Sequence, residues 1–82
     1  MKFAVRLFAR ARDLAEAERV ELELPEGARV GDVRAMLGER HPALRPVLPS
    51  LLFAIDHEYA GDSEPVPQDA TEIACFPPVS GG

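Results

Sequence analysis

Residues 2–9, KFAVRLFA, alternate along the chain: Phe3, Val5 and Leu7 fall on one side, Ala4, Arg6 and Phe8 on the other. A period of two predicts a β-strand. RVELELP, residues 19–25, repeats the pattern, with Val20, Leu22 and Leu24 inward and Glu21 and Glu23 outward. Pro25 stops that run and Gly27 permits a turn. The two strands are close enough in sequence to pair as a hairpin. Between them, residues 10–17 place Ala, Arg and Glu around Leu14, which reads as a short helical turn or loop.

The period then lengthens. In VGDVRAMLGERHP, Val30, Val33 and Leu37 share helical spacing with Met36 beside them, while Arg34 and Arg40 lie elsewhere on the wheel. Asp32 suits the first turn of a helix, and Pro42 ends the helix by the residue before it. Gly38 costs about 1 kcal/mol relative to alanine inside a helix; a close approach to the sheet is its expected reason. Pro42, Pro46 and Pro49 make residues 42–50 a stiff connection. LLFAI, 51–55, reads as a short buried strand, and DHEYAG, 56–61, as a turn and an edge strand bearing Tyr59. DSEPVPQDA, 62–70, reads as a loop. TEIACF, 71–76, is the last strand, with Ile73 and Cys75 on one face and Ala74 and Phe76 on the other.

The predicted order is strand, strand, helix, strand, short strand, strand. A single helix covers only one face of such a sheet. With Phe3, Val5, Leu7, Ile73 and Cys75 against the helix, Phe8 and Phe76 lie on the uncovered face, as expected of a docking surface.

Size and charge narrow the functions available. A domain of 82 residues buries only about 60–65% of the surface its unfolded chain exposes, so a deep, self-contained catalytic cavity is not expected. The net charge is −5, unevenly spread: all nine basic residues lie in positions 1–45, and positions 46–82 hold six acids with no Lys or Arg. An acidic half of this kind repels phosphate backbones, which disfavours nucleic acid and favours a partner with a basic surface. One cysteine precludes an intramolecular disulfide. Arg6 interrupts the apolar N-terminal stretch, so no signal peptide is expected, and no run approaches membrane-spanning length. A cytoplasmic protein that does not engage membranes is the expectation.

The usual catalytic sets are missing. Two histidines and one cysteine give no metal-ligand spacing. His41 reads as a helix cap, His57 as an exposed turn residue, and Cys75 as an inert core thiol. The glycines form neither a dinucleotide fingerprint nor a P-loop. Ser80 has no base nearby in sequence. What remains is CFPPVSGG, residues 75–82. Pro77 and Pro78 have no N–H groups, so they end the sheet ladder and hold the backbone extended. Val79, Ser80, Gly81 and Gly82 can reach about 13 Å beyond the domain, and two glycines enter a channel that any Cβ would block. The expected organisation is a domain over residues 1–78 and a flexible tail over 79–82. That arrangement suits presenting a carboxylate inside another protein.

FPPVSGG closely resembles the C-terminal motif of the MoaD family, the small sulfur-carrying subunits of molybdopterin synthase. LFARARDL is similar to the family's first strand and following turn, and LLFAIDHEYA to its middle strand and turn. The resemblance covers the whole chain. It implies an α+β, ubiquitin-like β-grasp fold, with a mixed four- to five-stranded sheet and one main helix on one face. An adenylating, MoeB-like activating enzyme would use ATP and magnesium to convert the Gly82 carboxylate to an acyl-adenylate. A sulfur donor would then replace AMP and leave a thiocarboxylate. The tail would next enter the large synthase subunit, MoaE, and donate sulfur to cyclic pyranopterin monophosphate. The chain alone would bind no cofactor and no metal, and the catalytic bases would belong to the large subunit. The same resemblance makes Phe8, Arg12, Phe76 and Pro77 the candidates for partner contact, Arg12 on resemblance alone. Three other readings stay open: a sulfur carrier for thiamine or tRNA thiolation, a ubiquitin-like protein modifier, and a β-grasp binding module with an inert tail.

Overall fold

The computed structural model describes residues 1–78. The two alternating runs form strands β1, Lys2–Leu7, and β2, Arg19–Glu23, paired antiparallel with Phe3 opposite Leu22 and Val5 opposite Val20. Their inward residues are buried as the period of two requires. The connection between them is more than a loop. It contains a helix, α1, Ala9–Ala15, whose Ala11 is fully buried. Two residues in left-handed conformation bracket it, Ala9 at φ 52° and Glu16 at φ 54°.

The second helix, α2, spans Val30–Arg40 and buries Val30, Val33 and Leu37. The Asp32 carboxylate accepts the Arg29 N–H at 2.8 Å, and the Arg29 C=O accepts the Asp32 N–H at 2.9 Å, closing the helix start. At the other end the His41 N–H donates to the Leu37 C=O at 2.8 Å before Pro42 halts the helix.

The reason expected for Gly38 is wrong. A Cβ there would meet Leu48 Cδ1 at 2.8 Å. The close approach is therefore to the proline-rich connection and not to the sheet. That connection is two short 3-10 turns, Pro42–Leu44 and Leu48–Ser50, which insert Leu44 and Leu48 into the core. Fixed φ at each proline suits these tight turns.

Strands β3, Leu52–Ile55, β4, Glu58–Ala60, and β5, Ile73–Phe76, complete the sheet in the order β2-β1-β5-β3-β4. β5 runs parallel to β1, with Leu7 opposite Cys75, and antiparallel to β3, with Phe53 opposite Cys75. β4 is an edge strand, as expected. β3 is not buried throughout: Phe53 faces the core, but Leu52 is exposed. Its apolar run is continuous in sequence yet alternates in burial, because only one sheet face is covered. Two helices and the 3-10 turns, not one helix alone, share that covering, and all contribute to one core.

Arg34 ties the irregular half to the helix. Its guanidinium donates to the Leu48 C=O, to the Leu51 C=O at 2.9 Å and to Asp62 Oδ1 at 2.9 Å. It also stacks over the Phe53 ring, 5.0 Å from the centroid. Asp56 performs a similar task at the β3–β4 turn, where it and His57 adopt positive φ. Its Oδ1 accepts from the Thr71 hydroxyl at 2.7 Å, the Glu72 N–H at 2.8 Å and the Thr71 N–H at 3.0 Å. Those bonds, that from the Thr71 hydroxyl foremost, hold its carboxyl below the ordinary value of 3.8.

Replacing Arg34 with Met leaves two backbone carbonyls without their cationic donor, and an equilibrium urea titration should show a loss of about 2 kcal/mol. An unchanged midpoint would mean that water replaces the guanidinium at no cost. Asp56 has a folded-state pKa below its unfolded one. Its contribution is therefore complete above the unfolded value and vanishes as pH falls through the folded one. The melting-temperature gap between wild type and Asp56→Asn should shrink between neutral pH and pH well below 3.8. A gap independent of pH would refute the carboxylate's role.

Candidate functional site

Alternation in the three central strands builds the uncovered face. Registers place Arg6, Ala74, Ala54 and Tyr59 in one row across β1, β5, β3 and β4. Leu52 lies opposite Phe76 in the next row. Phe8 extends that row: it follows Leu7 with extended backbone, φ −124° and ψ 153°, and its N–H donates to the Cys75 C=O at 3.1 Å. Phe8 and Phe76 thus share this face as the sequence pattern required. Two alanines make the floor shallow between Arg6 and Tyr59.

The aromatic groups are oriented by specific neighbours. The Tyr59 and Phe76 rings meet edge to face, with centroids 5.6 Å apart and planes at 66°. Tyr59 remains 73% exposed, and Phe8 and Leu52 are exposed beside it. The Arg6 guanidinium lies 5.0 Å from the centroid of the Phe8 ring and pairs with Glu72 Oε1 at 2.9 Å. Arg12 sits one turn into α1, exposed, with its N–H reaching the Phe8 C=O at 3.5 Å and its Nε 3.9 Å from Asp13. Pro77, half-buried, follows the end of β5. The face therefore gathers Phe8, Phe76, Leu52 and Tyr59 around the point where β5 ends, with Arg12 and Pro77 next to it in the chain. Val79, Ser80, Gly81 and Gly82 lie outside the described residues.

The sequence pattern does not single out Leu52, Tyr59 or Arg6 as site residues. The signal for Leu52 was present. Phe53 is the larger apolar neighbour, and if it points inward a period of two turns Leu52 outward. Tyr59 is expected on the edge strand, but its ring meets Phe76 across the intervening strand β3, a contact with no local signature.

The other chemistry-bearing residues do not converge. Cys75 is fully buried between Leu7 and Phe53, and burial pushes its thiol up to about 12, against a smaller opposing effect of Arg34. A thiol so rarely ionised is a poor nucleophile. His57 is exposed, with Nε2 3.9 Å from Glu72 Oε2. A concavity of about 430 Å³ opens between β2 and the end of α2. It is lined by Lys2, Glu21, Leu22, Glu23, Arg40 and His41, away from Phe8 and Phe76. Among the described residues no helix is long and apolar enough to cross a membrane.

This geometry has counterparts among known proteins. The ThiS family profile matches residues 5–82. The molybdopterin synthase sulfur carrier subunit of Chlamydomonas reinhardtii is 37% identical over 84 aligned positions that cover all of both chains. The crystal structure of SAMP1 from Haloferax volcanii, a small archaeal modifier protein, superposes with a TM-score of 0.84 at 30% identity, again over all of both chains. The fold, though not more than the fold, is also that of a chain in the complex of subunits 1 and 2 of the molybdopterin-converting factor from Helicobacter pylori. There the TM-score is 0.68 at 22% identity over the whole of each chain. The ubiquitin-like β-grasp architecture expected from sequence is thus the one observed. Matched along all but its first four residues, the chain belongs to the ThiS family.

Proposed function

We propose that this protein is the sulfur carrier subunit of a molybdopterin synthase. The observation that carries the reading is its full-length likeness to a protein of that name, at 37% identity. The uncovered apolar face at the end of β5 supports it, because a carrier needs a surface by which partners hold it while they work on its tail.

The chemistry is that of an activated acyl group. A carboxylate resists nucleophiles, since its charge repels them and oxide is a poor leaving group. An adenylating enzyme joins a Gly82 carboxylate oxygen to the α-phosphorus of ATP, releasing pyrophosphate. A hydrosulfide-equivalent donor attacks the acyl carbon and AMP departs with that oxygen, leaving a thiocarboxylate. Inside the large synthase subunit the sulfur attacks a side-chain carbon of cyclic pyranopterin monophosphate, and the carbon–oxygen bond at that carbon breaks as its oxygen substituent departs. Water then cleaves the acyl–sulfur bond, leaves sulfur on the pterin and restores the carboxylate. This chain supplies the nucleophilic sulfur and the grip on the partner, through Phe8, Phe76, Arg12 and Pro77. Acid–base groups come from the large subunit. Gly81, Ser80 and Val79 form the probe that delivers Gly82.

A second reading has a specific observation behind it. The likeness to SAMP1 at 30% identity favours a protein modifier joined through Gly82 to amines. Both readings need an activated Gly82, and they separate at the acceptor.

Incubation with ATP, a sulfur source and the activating enzyme should raise the intact mass by the replacement of one oxygen with sulfur. No gain, under conditions that thiolate a known carrier, would sink the proposal. Covalent attachment to lysines of other proteins would favour the modifier. Deleting Gly82 should abolish thiolation and leave cooperative melting unchanged. The thiocarboxylated protein and the large subunit should together convert the pterin precursor to molybdopterin; failure there would favour thiamine or tRNA thiolation. Cys75 should take no part. Native protein should resist alkylation at mildly alkaline pH and react fully in denaturant, and Cys75→Ala should thiolate normally. Sulfur found on Cys75 would contradict its burial.

A further inference from the structure

We propose that Arg6 is a positioning residue of the docking face: it holds the Phe8 ring in the orientation that the partner engages, and is itself held by Glu72. This rests on the reading that the uncovered face docks the large synthase subunit.

Phe8 has a fixed backbone and a ring exposed on the uncovered face. Its Cα is set by the bond from its N–H to Cys75 and by the abrupt left-handed turn at Ala9. Its side chain lies outside the core cluster. The group over the ring is the Arg6 guanidinium, two residues earlier on the same strand face, 5.0 Å from the centroid. A cation so placed is attracted by the ring's negative face. The guanidinium is planar and can stack while its edge still donates. Its Nη1 donates to Glu72 Oε1 at 2.9 Å, and the Glu72 side chain is the less exposed of the two, 25% against 49%. Glu72 is fixed in turn, since its N–H donates to Asp56 at 2.8 Å. A continuous polar string thus runs from the β3–β4 turn, through Asp56, Glu72 and Arg6, to the ring of Phe8.

This string predicts how Arg6 acts. Its charge is already paired with Glu72, so its contribution to docking passes through Phe8. A ring held in place before binding loses less freedom on binding, an effect worth about three-fold in affinity for one preordered side chain.

A double-mutant cycle tests it. Affinity of the isolated large subunit is measured by calorimetry for wild type, Arg6→Leu, Phe8→Ala and the double variant. Far-ultraviolet circular dichroism and melting serve as folding controls. Arg6→Leu should weaken binding about three-fold in the wild-type background and have no effect once Phe8 is alanine. Equal weakening in both backgrounds would overturn the inference, because Arg6 would then contact the partner directly. If Phe8→Ala itself binds as wild type does, the docking reading fails and takes the inference with it. An independent readout needs no partner. In the free protein, nuclear Overhauser contacts between the Arg6 side chain and the Phe8 ring should be strong and should fade in Glu72→Gln. Contacts undiminished in that variant would show that Glu72 does not hold Arg6.

Discussion

Everything useful on this molecule follows from covering a sheet on one side only. The helices α1 and α2 and the 3-10 turns all deliver their apolar residues to the same face. Val5, Leu7, Phe53, Ile73 and Cys75 answer from the strands, and none is more than 2% exposed. A strand offers its next residue to the opposite side whether or not anything is there to meet it. So burial of Leu7 turns Phe8 outward, burial of Cys75 turns Phe76 outward, and burial of Phe53 does the same to Leu52. The exposed apolar cluster is the other half of the alternation that makes the core. Removing it while keeping the strands would take polar substitutions at those positions, and the sequence does not have them.

Much of this is legible in the sequence. The alternation at Phe3, Val5, Leu7 and at Val20, Leu22, Leu24 gave β1 and β2, and the wider spacing of Val30, Val33 and Leu37 gave α2. Both depend on neighbours in sequence, where periodicity is the signal. Less legible were features made by residues distant along the chain. Gly38 is small because of Leu48, and Leu52 is outward because β3 has cover on one face. Arg34 lies off the apolar positions of the helical wheel, yet it serves carbonyls 14 and 17 positions away. Nor did composition reveal how the acidic half is used. Asp62 and Glu72 pair with Arg34 and Arg6 from the basic half, so the uneven charge distribution is partly an interlock between the two segments.

That interlock compensates for a shortage of regular structure. Between the end of α2 and the start of β5 lie two 3-10 turns, a hairpin of short strands and a long loop. Arg34 reaches the turns and the loop, and Asp56 reaches the approach to β5. A third tie is the Val66 N–H, which donates to the Ala28 C=O at 2.8 Å. Among the described residues no buried side-chain polar atom lacks a partner. In so small a domain the hydrophobic core cannot fix every connection. Charged side chains accept that task at places where they also keep contact with water.

The position of β5 has a mechanical consequence. It lies between two neighbours, parallel to one and antiparallel to the other. A pull on the chain beyond Phe76 would load the strand along its own axis. Its ladder bonds to β1 and β3 would then bear the force together, in shear. An edge strand pulled outward would instead release its bonds one at a time, as a zipper does. A chain end drawn on by a partner is thus anchored where the sheet best resists tension.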